Sequence, residues 1–175
     1  MTINTPRLLL RQWNESDLAP FIQMGQDPDV MRFFPSVLTQ DESEALMKKI
    51  MALIDENGWG FWAVEIKETK EFIGFVGLNA VENDLPCTPF IEIGWRINKP
   101  FWGQGFAPEA AKAALEYAFT ELNQQSVYAF TAKQNSPSRR VMSKIGMVNT
   151  RNDFDHPKLP DGHILQRHCL YCIGR

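Results

Sequence analysis

Apolar positions along the chain follow two periods, and the changes between them mark out helices and strands. Arg7-Leu8-Leu9-Leu10-Arg11 is a short apolar run after Thr5-Pro6 and predicts a first strand. From Asn14 to Gly25, polar residues lead into Leu18, Phe21 and Ile22, the start of a helix. From Thr39 to Asn57, Ala45, Leu46, Ile50, Leu53 and Ile54 fall at helical spacing. Thr39 and Glu42 form a capping box there, and Gly58 ends the helix.

The period then shortens. Gly60 to Ile66 and Glu71 to Leu78 are aromatic and β-branched runs around Lys67 to Lys70, the pattern of a hairpin. Phe90 to Ile97 is a further strand, followed by the turn-rich Asn98-Lys99-Pro100-Phe101-Trp102-Gly103-Gln104-Gly105. Pro108 suits a first helical position and Glu109 the positive end of a helix dipole. Ala111, Ala114, Leu115, Ala118, Phe119 and Leu122 then make an apolar stripe. Ser126 to Ala132 predicts a strand. Ser136 and Pro137 start a short helix with Ser136 as its cap, closed by Gly146, and the tail returns as strands after Pro157 and Pro160. This order describes one domain over residues 1–175, an α/β mixed sheet with helices on both faces.

Composition narrows the class. The 18 basic and 21 acidic residues leave a net charge of −3, without the basic footprint that nucleic-acid binding needs. A chain of 20.1 kDa buries about 70% of its unfolded surface, enough for a core without staples. No apolar run is long enough to span a membrane and no signal peptide opens the chain, so a cytoplasmic location is expected. Cys87, Cys169 and Cys172 are an odd set suited to reduced thiols. Cys169 and Cys172 lie in a strand-like run with no second pair, so no metal site is expected.

The most informative segment is the strand, glycine loop and helix from Ile91 to Leu122. Backbone N–H groups at a helix start, uncovered at Gly103 and Gly105, suit a phosphate or pyrophosphate. A P-loop requires Lys and then Ser or Thr after the second glycine, where the chain has Phe106-Ala107. A dinucleotide fingerprint requires a third glycine at Pro108 and an acidic residue near Lys133. The remaining alternative is a plain strand-to-helix turn.

Trp102-Gly103-Gln104-Gly105-Phe106-Ala107 resembles the pyrophosphate loop of the GNAT superfamily of acyl-CoA-dependent N-acetyltransferases, with Trp102 in place of the usual leading Arg or Gln. The opening Thr5-Pro6-Arg7-Leu8-Leu9-Leu10-Arg11 and the strand Ile91-Glu92-Ile93-Gly94-Trp95 resemble its RimJ/RimL branch. So do the run Asn135-x-x-Ser138-x-x-Val141-x-x-Lys144-x-Gly146-Met147 and the closing His168-x-Leu170-Tyr171. The resemblance implies a mostly antiparallel sheet of about seven strands with helices on both faces. It implies acetyl-CoA as co-substrate, held between two splayed strands, and an amine that attacks the thioester directly.

What the resemblance implies for single residues can be set beside their chemistry. The loop Gly103, Gln104, Gly105, Phe106 and Ala107 would meet the pyrophosphate. Backbone N–H groups over Trp95, Arg96 and Ile97 would face the thioester carbonyl. Glu92 is the candidate base, and either aims into the cleft or belongs to a solvated strand face. Many superfamily members carry a Tyr acid where this chain has Met142. Ser138 would then serve near the thiolate, or simply sit in a first helical turn. Asn135 would bind the pantetheine arm or cap the helix, with Ser136 already offering a cap. Arg139, Arg140 and Lys144 either meet the CoA phosphates or are solvated.

The acceptor pocket would be lined by the loop containing Phe33 and Phe34 and by the tail around His156, which either titrates near neutrality or is structural. The resemblance implies a primary amine acceptor, either a protein or peptide N-terminus or a small amine. The alternative is a non-catalytic acyl-CoA sensor. A homodimer is the commonest assembly for such a chain.

Overall fold

A computed structural model describes all residues 1–175. Nine strands form a single sheet. β1 (Ile3–Asn4), β2 (Leu8–Arg11), β3 (Phe61–Ile66), β4 (Phe72–Val81) and β5 (Phe90–Ile97) pair in sequence order, each antiparallel to the next. β6 (Ser126–Ala132) pairs with β5 in parallel. β9 (Arg167–Gly174) runs antiparallel to β6 and also receives the two-residue strands β7 (Val148–Asn149) and β8 (Phe154–Asp155). The sheet exceeds the expected count because β1, β7 and β8 are two-residue ladders whose brevity leaves no alternation to read.

The helices are α1 (Leu18–Gln26), α2 (Gln40–Asn57), α3 (Phe106–Thr120) and α4 (Ser136–Lys144). α3 packs on β2, β4 and β5, while α1 contacts β4 and α2 contacts β3. Strand alternation assigns the two faces. Trp62 stands edge-on to Tyr117 of α3 with ring centroids 5.3 Å apart, so its neighbour Phe61 faces the other way and meets Phe75 at 5.3 Å. Trp13 and Phe21 extend that second aromatic layer, 4.9 Å apart.

Local signals hold where they are self-contained. Thr39 Oγ1 accepts from the Glu42 amide and the Glu42 carboxylate accepts from the Thr39 amide, closing the capping box of α2. Gly58 takes the left-handed conformation at its end. Two helix starts differ from expectation. Pro108 is the third residue of α3 rather than the first, a position whose missing N–H is still harmless. In α4 the cap is Asn135, whose side chain accepts from the Ser138 amide, and Ser136 is the first helical residue. The first helix is delayed by a 3-10 turn at Glu15–Asp17. Asp17, 1% exposed, is fixed there by two bonds from Arg11, which also donates to Glu65.

Candidate active site

The parallel pairing of β5 and β6 contains a single partner pair, Glu92 with Tyr128. Beyond it β5 runs on through Ile97 beside β4, while β6 runs on to Ala132 beside β9. The two strands part, and a cavity of about 850 Å³ opens between them, within the size range of small-molecule sites. A second cavity of about 90 Å³, by Ile50, Trp59 and Leu78, has no titratable group in its wall.

The structure gathers most of the expected residues around the larger cavity. Glu92, Trp95, Arg96 and Ile97 line one wall, and Gly103, Gly105, Phe106 and Ala107 one end. Asn135 and Ser138 stand on the β6 side, and Phe33, Phe34 and His156 close the rest. Gln104 stands apart. Its side-chain amide turns back to the Pro100 carbonyl, 3.3 Å away, so only its backbone belongs to the loop facing the cavity.

The glycine loop is built for close approach. Gly103 and Gly105 have φ of 75° and 79°, the left-handed region that disfavours side chains. Phe106 and Ala107 start α3, so their N–H groups have no partner inside the helix. The opening segment braces this turn. Arg7 donates to the Gln104 carbonyl at 2.9 Å, lies 4.5 Å over the Phe106 ring, and pairs with Glu109 at 2.6 Å, while Thr5 donates to the same carboxylate. Trp102 ties the loop to β5 by donating to the Ile97 carbonyl at 2.6 Å.

Glu92 does not lie on a solvated face. It lines the cavity, and burial pushes its carboxyl up to about 7, only partly offset by Asn79, which donates to it at 3.2 Å, and by the charge of Lys158. Gly94 keeps that face open, since a Cβ there would come within 3.0 Å of the Phe61 ring. Asn79 was not foreseen, although a lone amide inside the apolar run Leu78-Asn79-Ala80 was its signal.

On the opposite wall, Met142 is buried at the cavity with no proton to give. Ser138 lines the cavity beside it. Asn135 divides its amide between the cap and Thr131 Oγ1 at 2.9 Å, so Asn135 and not Ser136 caps the helix. The three cations of α4 separate. Arg140 and Lys144 border the cavity, whereas Arg139 donates to the Tyr171 hydroxyl and the Lys133 carbonyl. His156 packs 4.8 Å from His168. Burial, the neighbouring imidazole and Lys158 hold it below its usual value, so it is neutral at pH 7 rather than poised there.

Arg96 brings the second unforeseen feature, its side chain. The guanidinium is buried at the cavity wall between Phe34 and Phe75, and two of its nitrogens have no hydrogen-bond partner.

Residues 7–148 match the acetyltransferase (GNAT) domain. The chain belongs to the GNAT acetyltransferase family. It is 32% identical over 164 residues to the uncharacterized N-acetyltransferase YnaD of Bacillus subtilis (strain 168), covering 93% of this chain and 91% of that one. It is 32% identical over 181 residues to the FsC-acetyl coenzyme A-N(2)-transacetylase of Aspergillus fumigatus, covering 99% of this chain and 76% of that one. A solved GNAT-family acetyltransferase from Bacillus anthracis superposes with a TM-score of 0.81 at 28% identity, over 99% of this chain and 98% of that one. The GNAT member described here is an acetyl-CoA-dependent N-acetyltransferase with the mixed, mostly antiparallel sheet of its family. No helix in it is long and apolar enough to cross a membrane.

Proposed function

We propose that this GNAT enzyme moves the acetyl group of acetyl-CoA directly to a primary amine in a ternary complex, with Glu92 as base and Ser138 beside the leaving sulfur. The observation that carries this reading is Glu92 itself, a carboxylate enclosed where β5 and β6 part and raised to about 7. A base working near neutral pH does best with such a value.

The cleft residues divide the work. The free N–H groups of Phe106 and Ala107, with the bare backbone of Gly103 and Gly105, suit the pyrophosphate, and Arg140 and Lys144 stand ready for further phosphate charge. The Trp95 to Ile97 backbone suits the thioester carbonyl as negative charge grows on its oxygen. Glu92 takes a proton from the ammonium form of the acceptor. The freed amine nitrogen bonds to the thioester carbon, the carbon–sulfur bond breaks, and the thiolate, met by the Ser138 hydroxyl, takes up a proton through solvent as the new amide nitrogen gives up its extra one. Phe33, Phe34 and His156 flank the acceptor. The RimJ/RimL-like motifs favour this branch of the family, and the acceptor is a peptide N-terminus or a small amine.

The test is thiol release from acetyl-CoA across N-terminal peptides, polyamines, amino acids and aminoglycosides, with acetyl-CoA binding followed by calorimetry. Turnover with one class establishes the transfer and its acceptor together. Tight binding with no turnover on any class would favour the sensor reading, and an absence of binding would overturn the cleft assignment.

A further inference from the structure

Arg96 interrupts the apolar run Ile93-Gly94-Trp95-Arg96-Ile97, and alternation sets it on the same strand face as Glu92 and Gly94, opposite Ile93 and Ile97. That face looks toward Phe61, Phe75 and the loop carrying Phe34. A buried cation is ordinarily paired with a carboxylate or spread over several acceptors. Arg96 has neither. Its Nε and Nη1 are buried without a hydrogen-bond partner, and the rings of Phe34 at 4.6 Å and Phe75 at 5.2 Å stand against it.

Two other buried polar atoms lack partners, Ser43 Oγ and Trp62 Nε1, but both are neutral groups sealed in the core at 0% exposure. Of these three residues, Arg96 alone combines a full charge with a place in the cavity wall. Desolvation lowers it only to about 10, so it remains a guanidinium at neutral pH. Asp29, the acidic group nearest in sequence to the aromatic loop that borders the cavity, is already paired with Lys99 at 2.5 Å. Asp29 therefore does not compensate Arg96.

We propose that the Arg96 guanidinium, orphaned on the acceptor face of β5 four residues from Glu92, binds a carboxylate of the amine acceptor. The favoured substrate class is then a free amino acid or a molecule of that type. This assignment rests on the acetyl-transfer reading above and narrows it. Glu92 and Arg96 start about 13 Å apart along the strand, with the side-chain-free Gly94 between them on the same face, and both line the one cavity. Nε and Nη1 are closed off from the cavity and Nη2 is not, so a carboxylate meets the guanidinium there with a charge-assisted hydrogen bond. A peptide N-terminus, whose own carboxyl is consumed in an amide, leaves Arg96 buried and unpaired.

The experiment compares rates of thiol release from acetyl-CoA with the common L-amino acids, their carboxamides and the matching decarboxylated amines. We expect at least one amino acid to exceed its carboxamide by about 100-fold in kcat/KM, since a site built around a polar partner rejects an analogue lacking it. Arg96→Met should shrink that ratio to within about tenfold, and Arg96→Lys should restore part of it. The ratio is internal to each variant, so a loss of folded protein lowers both rates without moving it. If Arg96→Met does not fold, the wild-type and Arg96→Lys ratios decide. Equal turnover of acids and carboxamides, a ratio untouched by both substitutions, or acetyl-CoA binding without turnover of any acid would overturn the carboxylate assignment. Failure to bind acetyl-CoA in calorimetry would instead overturn the reading it rests on.

Discussion

Asn79 and Glu92 are direct partners across β4 and β5, and the Asn79 amide donates to the Glu92 carboxylate at 3.2 Å. This bond orients the carboxylate and favours its charged form, but desolvation outweighs it and the net shift is upward. The pair thus holds a carboxylate in position while leaving it basic enough to take a proton near neutrality.

The pH dependence follows from that shift. The kcat/KM should rise with pH through an apparent value near 7, and Glu92→Gln should remove this limb and lower turnover by about 10²- to 10⁴-fold. A raised folded-state value means the folded protein holds its proton more tightly than the unfolded chain. Stability from this group is therefore full below the ordinary carboxyl value and is lost as pH rises through about 7. Glu92→Gln should accordingly be more stable than wild type at pH 8, by about 1–3 kcal/mol in urea titration, and nearly equal to it at pH 4.

Ser138 borders the cavity next to buried Met142 and sits one helical turn after the Asn135 cap. Ser138→Ala should reduce kcat by about 100-fold while acetyl-CoA affinity changes far less. Calorimetry alongside steady-state rates separates the two, and equal losses would make Ser138 a binding residue.

Gly105 joins a positive φ to open space, with only the Arg7 guanidinium within 3.5 Å of an added Cβ. Gly105→Val should therefore fold with a stability loss of about 1–2 kcal/mol from the left-handed conformation. The valine would nevertheless cover the amides at the start of α3, and acetyl-CoA binding should be abolished in calorimetry.

Gly77 presents the opposite case. A Cβ there would stand 2.0 Å from the Gly60 carbonyl oxygen and 2.8 Å from the Phe61 Cα, so β3 and β4 would have to separate. Gly77→Ala should lower stability by about 3 kcal/mol in chemical denaturation, with acetyl-CoA binding weakened only in proportion to the unfolded fraction.

Several features of the site were legible from residue order because each is local. The capping box of Thr39 and Glu42, the glycine loop after β5 and the shared face of Glu92 and Gly94 depend on contacts or angles spanning a few residues. The three shortest strands were not legible, since a two-residue ladder exists only where a distant strand supplies its partner. For the cap of α4 the local pattern fits Ser136 as well as Asn135, which is the residue that caps it. The bond from Asn135 to Thr131 on β6 accompanies the arrangement the fold adopts.

The sequence by itself determined the succession of elements, the phosphate-type loop and the face of β5 that carries the candidate base, through periodicity and backbone geometry. Only the tertiary structure decided that Glu92 is enclosed rather than solvated, that His156 is neutral, and that Arg96 lies buried between Phe34 and Phe75 without a partner. Desolvation and pairing are set by groups far apart in the chain. A charged residue looks the same in sequence whether water, an ion partner or an empty cavity awaits it.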